Sequence, residues 1–281
     1  MIPTAPHDAM IRRALLPLLA FVLAAASVAA EGLPPCPAAD RVRTEALYGE
    51  AKAALNERYD EPTARAAVAM LDEAVTLCPG WDAAWVYLSE EAWNVGDALP
   101  AKAKAEKMAW FRKGEAAGDR ALAIDPSSAG GLYWKTTNTA GIADVKGWMS
   151  SLWLFPTLRA NMNRVDALDP HYYHGIVARF WCAVFDRVPL FLADRFGVNV
   201  DDLVARAEGE IRREPRYFSN HVYLARLLAK RKDQGRALAS LEYVLSHDPA
   251  ALPDEKGDNA FEQGNARVAW KQITGKDYPA R

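Results

Sequence analysis

Two histidines and two tyrosines stand together in the stretch DALDPHYYHG, residues 166–175, and could form a metal site or the wall of a pocket. His171 and His174 are three residues apart, so on a helix they would share a face and could bind one metal ion. A closed metal site needs further ligands, and no Cys, Glu or His follows at helical spacing in GIVARFW. We therefore expect no metal site. The stretch is interpreted as a helix boundary in which Tyr172 and Tyr173 contribute to structure or to a pocket wall.

A second stretch whose residues could form a ligand site is GGLYWKTTNTAGIADVKGWMSSLWLFP, residues 130–156. It mixes bulky rings, a few polar groups and small residues, which is how a concave ligand pocket is usually built. The candidate ligand-binding residues are Tyr133, Trp134, Lys135 and Asn138. Packing of the same rings in the core is the alternative, and both interpretations stay open. Trp148 begins WMSSLWLFP, which is interpreted as a lid, a core segment or an exposed apolar surface for a partner.

Signatures of catalysis are absent from the sequence. It contains no Gly-rich phosphate loop, no Gly-x-Ser-x-Gly, no His-Glu-x-x-His and no Cys-x-x-Cys. We expect a protein that is not an enzyme and has no cofactor, with an active site assembled only by the fold as the alternative. The formal net charge is −2 and no basic run occurs, so nucleic acid is not an expected partner.

The elements that must position these residues are indicated by five prolines, each of which follows a helical stretch. A proline just past a helix end cannot continue the helix, and regular stops at periods of 30–50 residues indicate stacked helical hairpins. The last interval, 34 residues, is the length of a tetratricopeptide repeat, whereas the earlier intervals are longer and predict degenerate repeats. Because strand signals are almost absent, we predict an all-α, tetratricopeptide-repeat-like solenoid. The five prolines are Pro79, Pro126, Pro170, Pro215 and Pro249.

Small and large apolar residues recur at helical spacing on the faces that should pack between these hairpins. The residues concerned are Ala67, Leu71 and Ala74 before Pro79, and Leu224, Ala225, Leu228, Ala237, Leu241 and Val244 before Pro249. A final helix is predicted to begin with Asp258 as its N-cap and to cap the open end of the solenoid. Its packing face would contain Phe261, Ala266, Val268 and Ala269.

The N-terminal segment has the pattern of a signal peptide. Arg12 and Arg13 precede a seventeen-residue, largely apolar run that ends in small residues. We predict cleavage near Ala30, with Met10 a more natural start than Met1. Residues 1–30 would then be the signal peptide, and residues 31–281 one helical-repeat domain. The alternative is a protein anchored in the membrane by this segment.

Three cysteines occur, and export would permit a disulfide. Cys36 lies just before one predicted helix and Cys78 at the end of the next, and these points are neighbours in an antiparallel hairpin. We therefore predict a Cys36–Cys78 bond, and a buried thiol at Cys182.

Four stretches, in their order along the chain, resemble the T component (TatT) of tripartite ATP-independent periplasmic (TRAP) transporters. They are LYWKTTNTAGIADVKG, HGIVARFW, LARLLAKRKDQGRALASLEYVLSHDP and LPDEKGDNAFEQGNARVAW. The match spans roughly residues 125–275. The positions carried over are Tyr133-Trp134, Asn138–Gly141, Gly175–Arg179 and Asp258-Asn259, and they place Arg179 among the candidate ligand-binding residues.

The resemblance implies an exported helical-repeat protein whose hairpins surround a cleft. Its expected partners are a periplasmic solute-binding protein and a small hydrophobic or organic-acid ligand. Two features depart from the family: Cys36 lacks a lipobox, and RVPLFLADRFGVNVDDLVARA lacks the usual Gly-Gly. The alternative function is a general repeat scaffold for assembly of the cell envelope.

Overall fold

The computed structural model describes residues 36–279, and every regular element in that range is a helix. The residues belong to one compact unit. Two short 3-10 helices near the C-terminal helix and one over Trp148–Leu154 join the α-helices. The α-helices are α1 (Ala38–Glu57), α2 (Glu61–Leu77), α3 (Asp82–Ala98), α4 (Lys104–Ile124), α5 (Ala129–Lys146), α6 (Phe155–Leu168), α7 (Tyr172–Arg187), α8 (Leu192–Arg195), α9 (Val200–Arg213), α10 (Phe218–Lys230), α11 (Gln234–Ser246) and α12 (Lys256–Thr274).

The helices are arranged as successive hairpins, which confirms the all-α solenoid predicted from the sequence. The pairs are α1–α2, α3–α4, α5–α6, α7–α9 and α10–α11, with the short α8 inserted in the fourth, and each pair packs on the next. Each of the five prolines lies two or three residues beyond the second helix of a pair. The proline spacing therefore marks the hairpin boundaries in this chain.

Several helices begin at a side chain that satisfies the free N–H groups of the first turn. Asp60 accepts a hydrogen bond from the backbone N–H of Thr63 at the start of α2. Ser128 does the same for α5, and Asn199 and Asp233 do so for α9 and α11. Each cap fixes where a helix starts after a short turn.

The packing between helices uses the small and large apolar residues identified by their spacing. Ala67, Leu71 and Ala74 of α2 are fully buried, as are Ala237 and Leu241 of α11. The apolar core consists of one cluster within α1–α4 and a larger one within α5–α12. Burying a leucine in such a core contributes on the order of 2 kcal/mol.

The last helix does more than cover the end of the row, because α12 packs on α10 and α11 and also contacts α1. The contact is close: a Cβ atom added at Gly257 would lie 2.1 Å from the carbonyl oxygen of Leu55. A glycine is therefore required for α12 to approach the end of α1 at this distance. The C-terminal helix thereby joins the two ends of the row of hairpins.

Polar groups surround this contact, which we call the closure seam and define as residues 55–59 against residues 253–261. The Asn56 side chain donates from Nδ2 to the carbonyl of Pro253 at 2.8 Å and accepts from the Gly257 N–H at 3.3 Å. Lys256 Nζ lies 2.9 Å from Glu57 Oε2 on the surface. Hydrogen bonds and one ion pair thus hold the ends together over about 200 residues of sequence.

The predicted start and face of the final helix were partly wrong. The helix begins at Lys256, two residues before the expected N-cap, and Asp258 lies inside its first turn. Ala266 and Ala269 are buried as expected, but Phe261 is 42 % exposed and Val268 is 53 % exposed. The reason is that α12 packs on α1 as well as on α10 and α11, which changes the face it buries.

The predicted disulfide is confirmed: Cys36, two residues before α1, is bonded to Cys78, which directly follows α2. Cys182 is a free, buried thiol, also as expected. Between residues 36 and 279, no helix is long and apolar enough to cross a membrane. The predicted signal peptide, residues 1–30, lies outside the described residues.

Candidate functional site

A cavity of about 420 Å³ lies between the hairpins and is the main candidate site of the molecule. Its walls come from the first helix of the second to fifth hairpins, from α12, and from the turn between α1 and α2. The inner surface is rich in aromatic rings, which are contributed by Tyr59, Trp93, Tyr133, Trp134, Tyr173, Phe180, Tyr217, Tyr223 and Phe261.

Helical spacing explains why these side chains converge. Residues three or four positions apart share a helix face. On α3 the lining residues are Glu90, Trp93, Asn94 and Asp97, and on α12 they are Asp258, Phe261, Glu262 and Asn265. The same spacing applies to Tyr133, Trp134 and Thr137 on α5 and to Ser219, Tyr223 and Arg226 on α10. Each helix therefore presents one stripe of rings and polar groups to the cavity.

One side of the cavity is acidic, because α3 and α12 bring carboxyl groups towards each other. Burial raises the pKa of Glu91 to about 8 and the pKa of Asp258 to about 7, and neighbouring carboxyls add to both shifts. Burial also raises the pKa of Glu90, which faces Glu91 and Asp258. The carboxyl of Glu262, one turn after Asp258, has a raised pKa for the same reason. Glu91 and Asp258 therefore exchange protons near neutral pH.

Hydroxyl groups and amides supply part of the hydrogen bonding on this side. Ser219 Oγ lies 3.1 Å from Glu262 Oε1 and 3.4 Å from Asp258 Oδ2. Asn265 Nδ2 donates to the other oxygen of Glu262 at 3.1 Å. Glu90, by contrast, has no hydrogen bond or ion pair within the described range. Its carboxyl is free to bind a ligand.

Arg179 of α7 carries a buried guanidinium group at the cavity wall, with 6 % of the residue exposed. Its donors reach the carbonyls of Tyr173 and His174 at 2.7 and 3.0 Å, and Asn220 Oδ1 at 2.9 Å. Its plane also lies over the ring of Tyr217, 4.7 Å from the centroid. Carbonyl dipoles and ring faces stabilise this cation in place of a carboxylate.

The arginine holds an unusual turn of backbone. Tyr173, His174 and Gly175 have positive φ angles of 43°, 56° and 76°, so the start of α7 is left-handed. A non-glycine residue in this region costs about 1–2 kcal/mol. The sequence indicated a helix boundary at this stretch, and α7 does begin there, but the left-handed turn was not anticipated. The contacts from Arg179 and Asn220 maintain the turn, which places the Tyr173 ring in the cavity wall.

Gly175 completes this turn for steric as well as conformational reasons. A Cβ atom at this position would lie 2.3 Å from Cγ of Glu210. The carboxyl of Glu210 is also hydrogen-bonded to His171, with 3.1 Å between His171 Nδ1 and Glu210 Oε1. His174 Nε2 lies 3.5 Å from Glu255 instead, so the two histidines do not converge. Within residues 36–279, no three His, Cys, Asp or Glu side chains are grouped to hold a metal ion.

The candidate residues from the sequence fall into two groups. Tyr133, Trp134, Tyr173 and Arg179 line the cavity. Tyr172 packs behind Tyr133, with ring centroids 6.4 Å apart, and does not line it.

Two further candidates form contacts between neighbouring helices and do not line the cavity. Lys135 pairs with Asp119 of α4 at 2.5 Å. Asn138 donates to the carbonyls of Ser89 and Trp134 and so links α3 to α5. Trp148 begins a 3-10 helix, and its side chain lies outside the described part of the structure.

Two buried polar atoms on α5 lack a hydrogen-bond partner among the described residues. Trp134 is 5 % exposed and Thr137 is 6 % exposed, and both line the cavity. Trp134 Nε1 and Thr137 Oγ1 lie near tyrosine hydroxyls, yet neither forms a hydrogen bond of acceptable geometry among the described residues. A buried donor without a partner is costly, by roughly 1–3 kcal/mol. A bound ligand would satisfy these atoms.

A smaller pocket of about 120 Å³ adjoins the cavity and shares six lining residues with it. Its wall is largely apolar, with Phe111, Phe155 and Leu158 among the side chains. Arg187 lies at the junction and reaches Asp97 at 3.6 Å and Asp144 at 3.7 Å. The polar cavity thus continues into an apolar recess.

The acidic side was missed by sequence reasoning. Asp258 was interpreted as an N-cap, and Glu90 was hidden among many Glu residues that occupy solvated helix faces. The one available signal was the i, i+4 spacing of Asp258 and Glu262, which places both on one face of the final helix. Their burial depends on α12 reaching α1 and α3, which local spacing does not reveal.

Comparison with known proteins assigns no family to this chain: no family model matches it, and no curated protein matches it significantly. A function must therefore be inferred from the cavity and the fold.

Proposed function

We propose that this protein is a non-enzymatic binding protein that holds a small organic molecule in its central cavity. The observation that carries the proposal is a cavity of about 420 Å³ lined by aromatic rings and by the unpartnered polar atoms of Trp134 and Thr137. Protein interiors are otherwise close-packed. A space of this size with convergent polar groups is typical of a ligand site.

The chemistry of the lining residues favours binding over catalysis. Cys182 is a potential nucleophile in the wall, but burial raises the pKa of its thiol to about 12. It is therefore a thiol, not a reactive thiolate, at neutral pH. Ser219 Oγ is hydrogen-bonded to Asp258 and Glu262 and, among the described residues, to no histidine. No activated nucleophile stands in the cavity among the described residues.

The biological role we propose is that of an exported accessory protein in a TRAP-type solute uptake system. Support comes from the resemblance of the sequence to the T component of these transporters and from the arrangement of the hairpins around a cavity. The Cys36–Cys78 bond fits an oxidising compartment such as the periplasm. In this role the protein would bind a periplasmic solute-binding protein after removal of residues 1–30.

A surface for that partner is offered by exposed apolar side chains in the connections within the third and fourth hairpins. Met149, Trp153 and Phe191 are 72 %, 73 % and 79 % exposed. Large exposed apolar residues are uncommon on a free surface and are typical of sites of protein association. We propose that the solute-binding protein contacts these residues.

The ligand-binding proposal is tested by native mass spectrometry of the protein purified from its own periplasm. We expect a mass excess that disappears on denaturation. Ala183 lies in the wall of both pockets, so Ala183→Phe should fill the space and remove the excess. Ala205 is exposed on α9, and Ala205→Phe is the matched control that should retain it. Equal occupancy in both variants would remove the cavity from consideration.

The partner proposal is tested separately by mild crosslinking in the periplasm. We expect recovery of a solute-binding protein, and loss of that crosslink in Trp153→Ser and Phe191→Ser. Val42 is 70 % exposed on α1, so Val42→Ser controls for loss of any exposed apolar side chain. Recovery of envelope-assembly proteins instead would support the general scaffold, the alternative function.

A further inference from the structure

Three carboxyl groups on α3 and α12 line the cavity without forming an ion pair. Glu90 of α3 and Asp258 and Glu262 of α12 line it, and none of them forms an ion pair with a described Lys, Arg or His. Buried carboxyls are normally paired or coordinated. Three together on facing helices leave a place where a positive group would be stabilised from several directions.

The positive side chains of the cavity are arranged differently. Arg187 is paired with Asp97 and Asp144. Arg179 uses its donors on two carbonyls and one amide oxygen. Arg226 has an unpartnered Nε, but Glu262 faces it and lowers its attraction for an anion. Three carboxyls without an ion pair therefore outnumber the two arginines of the wall, Arg179 and Arg226, that have no carboxylate at salt-bridge distance.

Aromatic rings accompany the carboxyls. Tyr59 and Phe261 stand with ring centroids 5.3 Å apart at the closure seam, and both line the cavity. Tyr173 and Tyr217 approach from α7 and from the start of α10, at a centroid distance of 6.0 Å. The guanidinium of Arg179 already lies over Tyr217, which shows that these ring faces accept a cation.

The unpartnered atoms of α5 add an independent indication that something binds beside these groups. Thr137 Oγ1 can accept as well as donate, so it suits an ammonium group, and Trp134 presents a ring edge and a ring face to the same space. The site is therefore a built pocket with acidic, aromatic and unsatisfied polar components.

We infer that the ligand of the cavity is an organic cation, with an ammonium group placed among Glu90, Asp258 and the tyrosine rings and an apolar body directed along the cavity. This inference rests on the proposed ligand-binding function and specifies the ligand class. The small apolar recess beyond Arg187 accommodates part of a longer apolar body.

Binding of a cationic ligand would release protons from the carboxyl groups of the cavity. The titratable and charged groups that act on the acidic side come from every surrounding element. They are Lys52 of α1, Tyr59, Glu90 and Glu91 of α3, Tyr173 and Arg179 of α7, Tyr217, Tyr223 and Arg226 of α10, Glu255, Asp258 and Glu262. Burial raises the pKa of Glu90, Glu91, Asp258 and Glu262, and repulsion from neighbouring carboxyls raises the pKa of the first three further. A bound cation favours their ionised form, so protons leave as the cation enters and affinity falls as the solution becomes more acidic.

The inference can be tested with three probes of matched shape: 3-phenylpropylamine, 3-phenylpropanol and 3-phenylpropionate. Isothermal titration calorimetry of the mature protein at pH 8 should give the tightest binding to the amine, by at least about tenfold over the propionate. Amine binding should weaken at pH 5.5, where this probe stays protonated. Titration in two buffers of different ionisation enthalpy should reveal release of protons.

Neutral isosteric substitutions assign the effect to the carboxyls. We expect Glu90→Gln and Asp258→Asn each to weaken amine binding about tenfold and to leave binding of the alcohol unchanged. Glu242 is exposed on α11, and Glu242→Gln is the control that should change neither. Arg226→Gln should leave amine binding intact or strengthen it, since it removes an opposing charge.

The possible results separate this inference from the function on which it rests. Preference for the propionate, with loss of its binding in Arg226→Gln, would overturn the cation and leave a binding protein for organic acids. Equal affinity for all three probes would also overturn it, since charge would then have no role. Failure of every probe to bind, in a protein with unchanged helical circular dichroism, would remove both the cation and the proposed ligand-binding function.

Discussion

The packing between consecutive hairpins and the closure seam hold the same molecule together by different means. Between hairpins, alanines and leucines such as Ala67, Leu71 and Leu241 are fully buried and exclude water. At the seam, the contacts are an amide of Asn56, the backbone of Gly257, one surface ion pair and a single aromatic pair, Tyr59 with Phe261. The first kind of interface derives its stability from burial of apolar area, whereas the second depends on geometry.

This difference indicates which region of the protein should open first by local unfolding. Buried apolar contacts stabilise the global fold, whereas a seam made from a few polar contacts opens at lower cost. The seam also carries Asp258 and lies against Tyr59, so its opening would expose the acidic side of the cavity. We therefore expect substitutions in the two regions to differ both in size and in kind.

The largest effect is expected from a cavity in the hairpin packing. Leu241→Ala should lower the free energy of unfolding by about 2–5 kcal/mol, because the side chain is fully buried and the site cannot collapse completely. Denaturant unfolding measures the change. Leu168→Ala, at a position 38 % exposed, is the control and should cost much less. A similar loss in both variants would contradict the contrast between core and surface on which the comparison depends.

A smaller loss is expected when the seam is overpacked. In Gly257→Ala the new methyl group meets the Leu55 carbonyl, so α12 must shift and stability should fall by about 1–3 kcal/mol. Gly264 lies on the same helix with open space around it. Gly264→Ala should therefore stabilise the protein by about 0.5–1 kcal/mol through better helix propensity. If both substitutions stabilise, α12 does not approach α1 closely in solution.

The buried carboxyls give the seam side a pH dependence that the hairpin packing lacks. Folded-state pKa values of about 7 for Asp258 and about 8 for Glu91 exceed the unfolded values near 4, so the folded state binds more protons between these limits. Stability should therefore fall as pH rises from 5 to 8, with a slope of at most about 1.4 kcal/mol per pH unit for each group. Thermal unfolding across this range measures the slope.

Substitution of the two acids identifies the source of that slope. In the double variant Glu91→Gln, Asp258→Asn the dependence between pH 5 and 8 should flatten. Stability that rises with pH, or a slope unchanged in the double variant, would show that these groups do not titrate as the folded structure requires.

The smallest effect is expected from the ion pair at the seam. Lys256→Gln should cost about 0.2–1 kcal/mol, because the pair with Glu57 is exposed and screened by salt. Arg231→Gln, which removes the surface pair with Asp201, is the matched change among the hairpins and should have a similar cost. A loss well above 1 kcal/mol for Lys256→Gln alone would show that the ion pair, and not the Asn56 and Gly257 contacts, holds the seam.

Sequence reasoning succeeded where the information is local. A proline beyond a helix end and a leucine three or four residues from an alanine act within one hairpin, so the all-α solenoid and the Cys36–Cys78 bond followed from spacing. The left-handed turn at Tyr173 and His174 did not, because Arg179 and Asn220 maintain it through contacts that form only after folding.

The candidate site could be anticipated only in part for the same reason. Tyr133 and Trp134 stand in a stretch whose composition indicated a pocket, and both line the cavity. Glu90 and Asp258 are separated by more than 160 residues and meet only because the row of hairpins returns to its beginning. Their proximity is a property of the closed fold and leaves little trace in the local pattern.

The return of α12 to α1 has a consequence for how the molecule unfolds. A linear repeat array can fray from either end, since each terminal unit contacts a single neighbour. Here the first described hairpin is covered by the last helix, so neither end can detach without breaking the contacts of the other. Amide hydrogen exchange in α1 and α12 should therefore follow one common opening event, in place of the gradient of protection that runs inward from the ends of an open array.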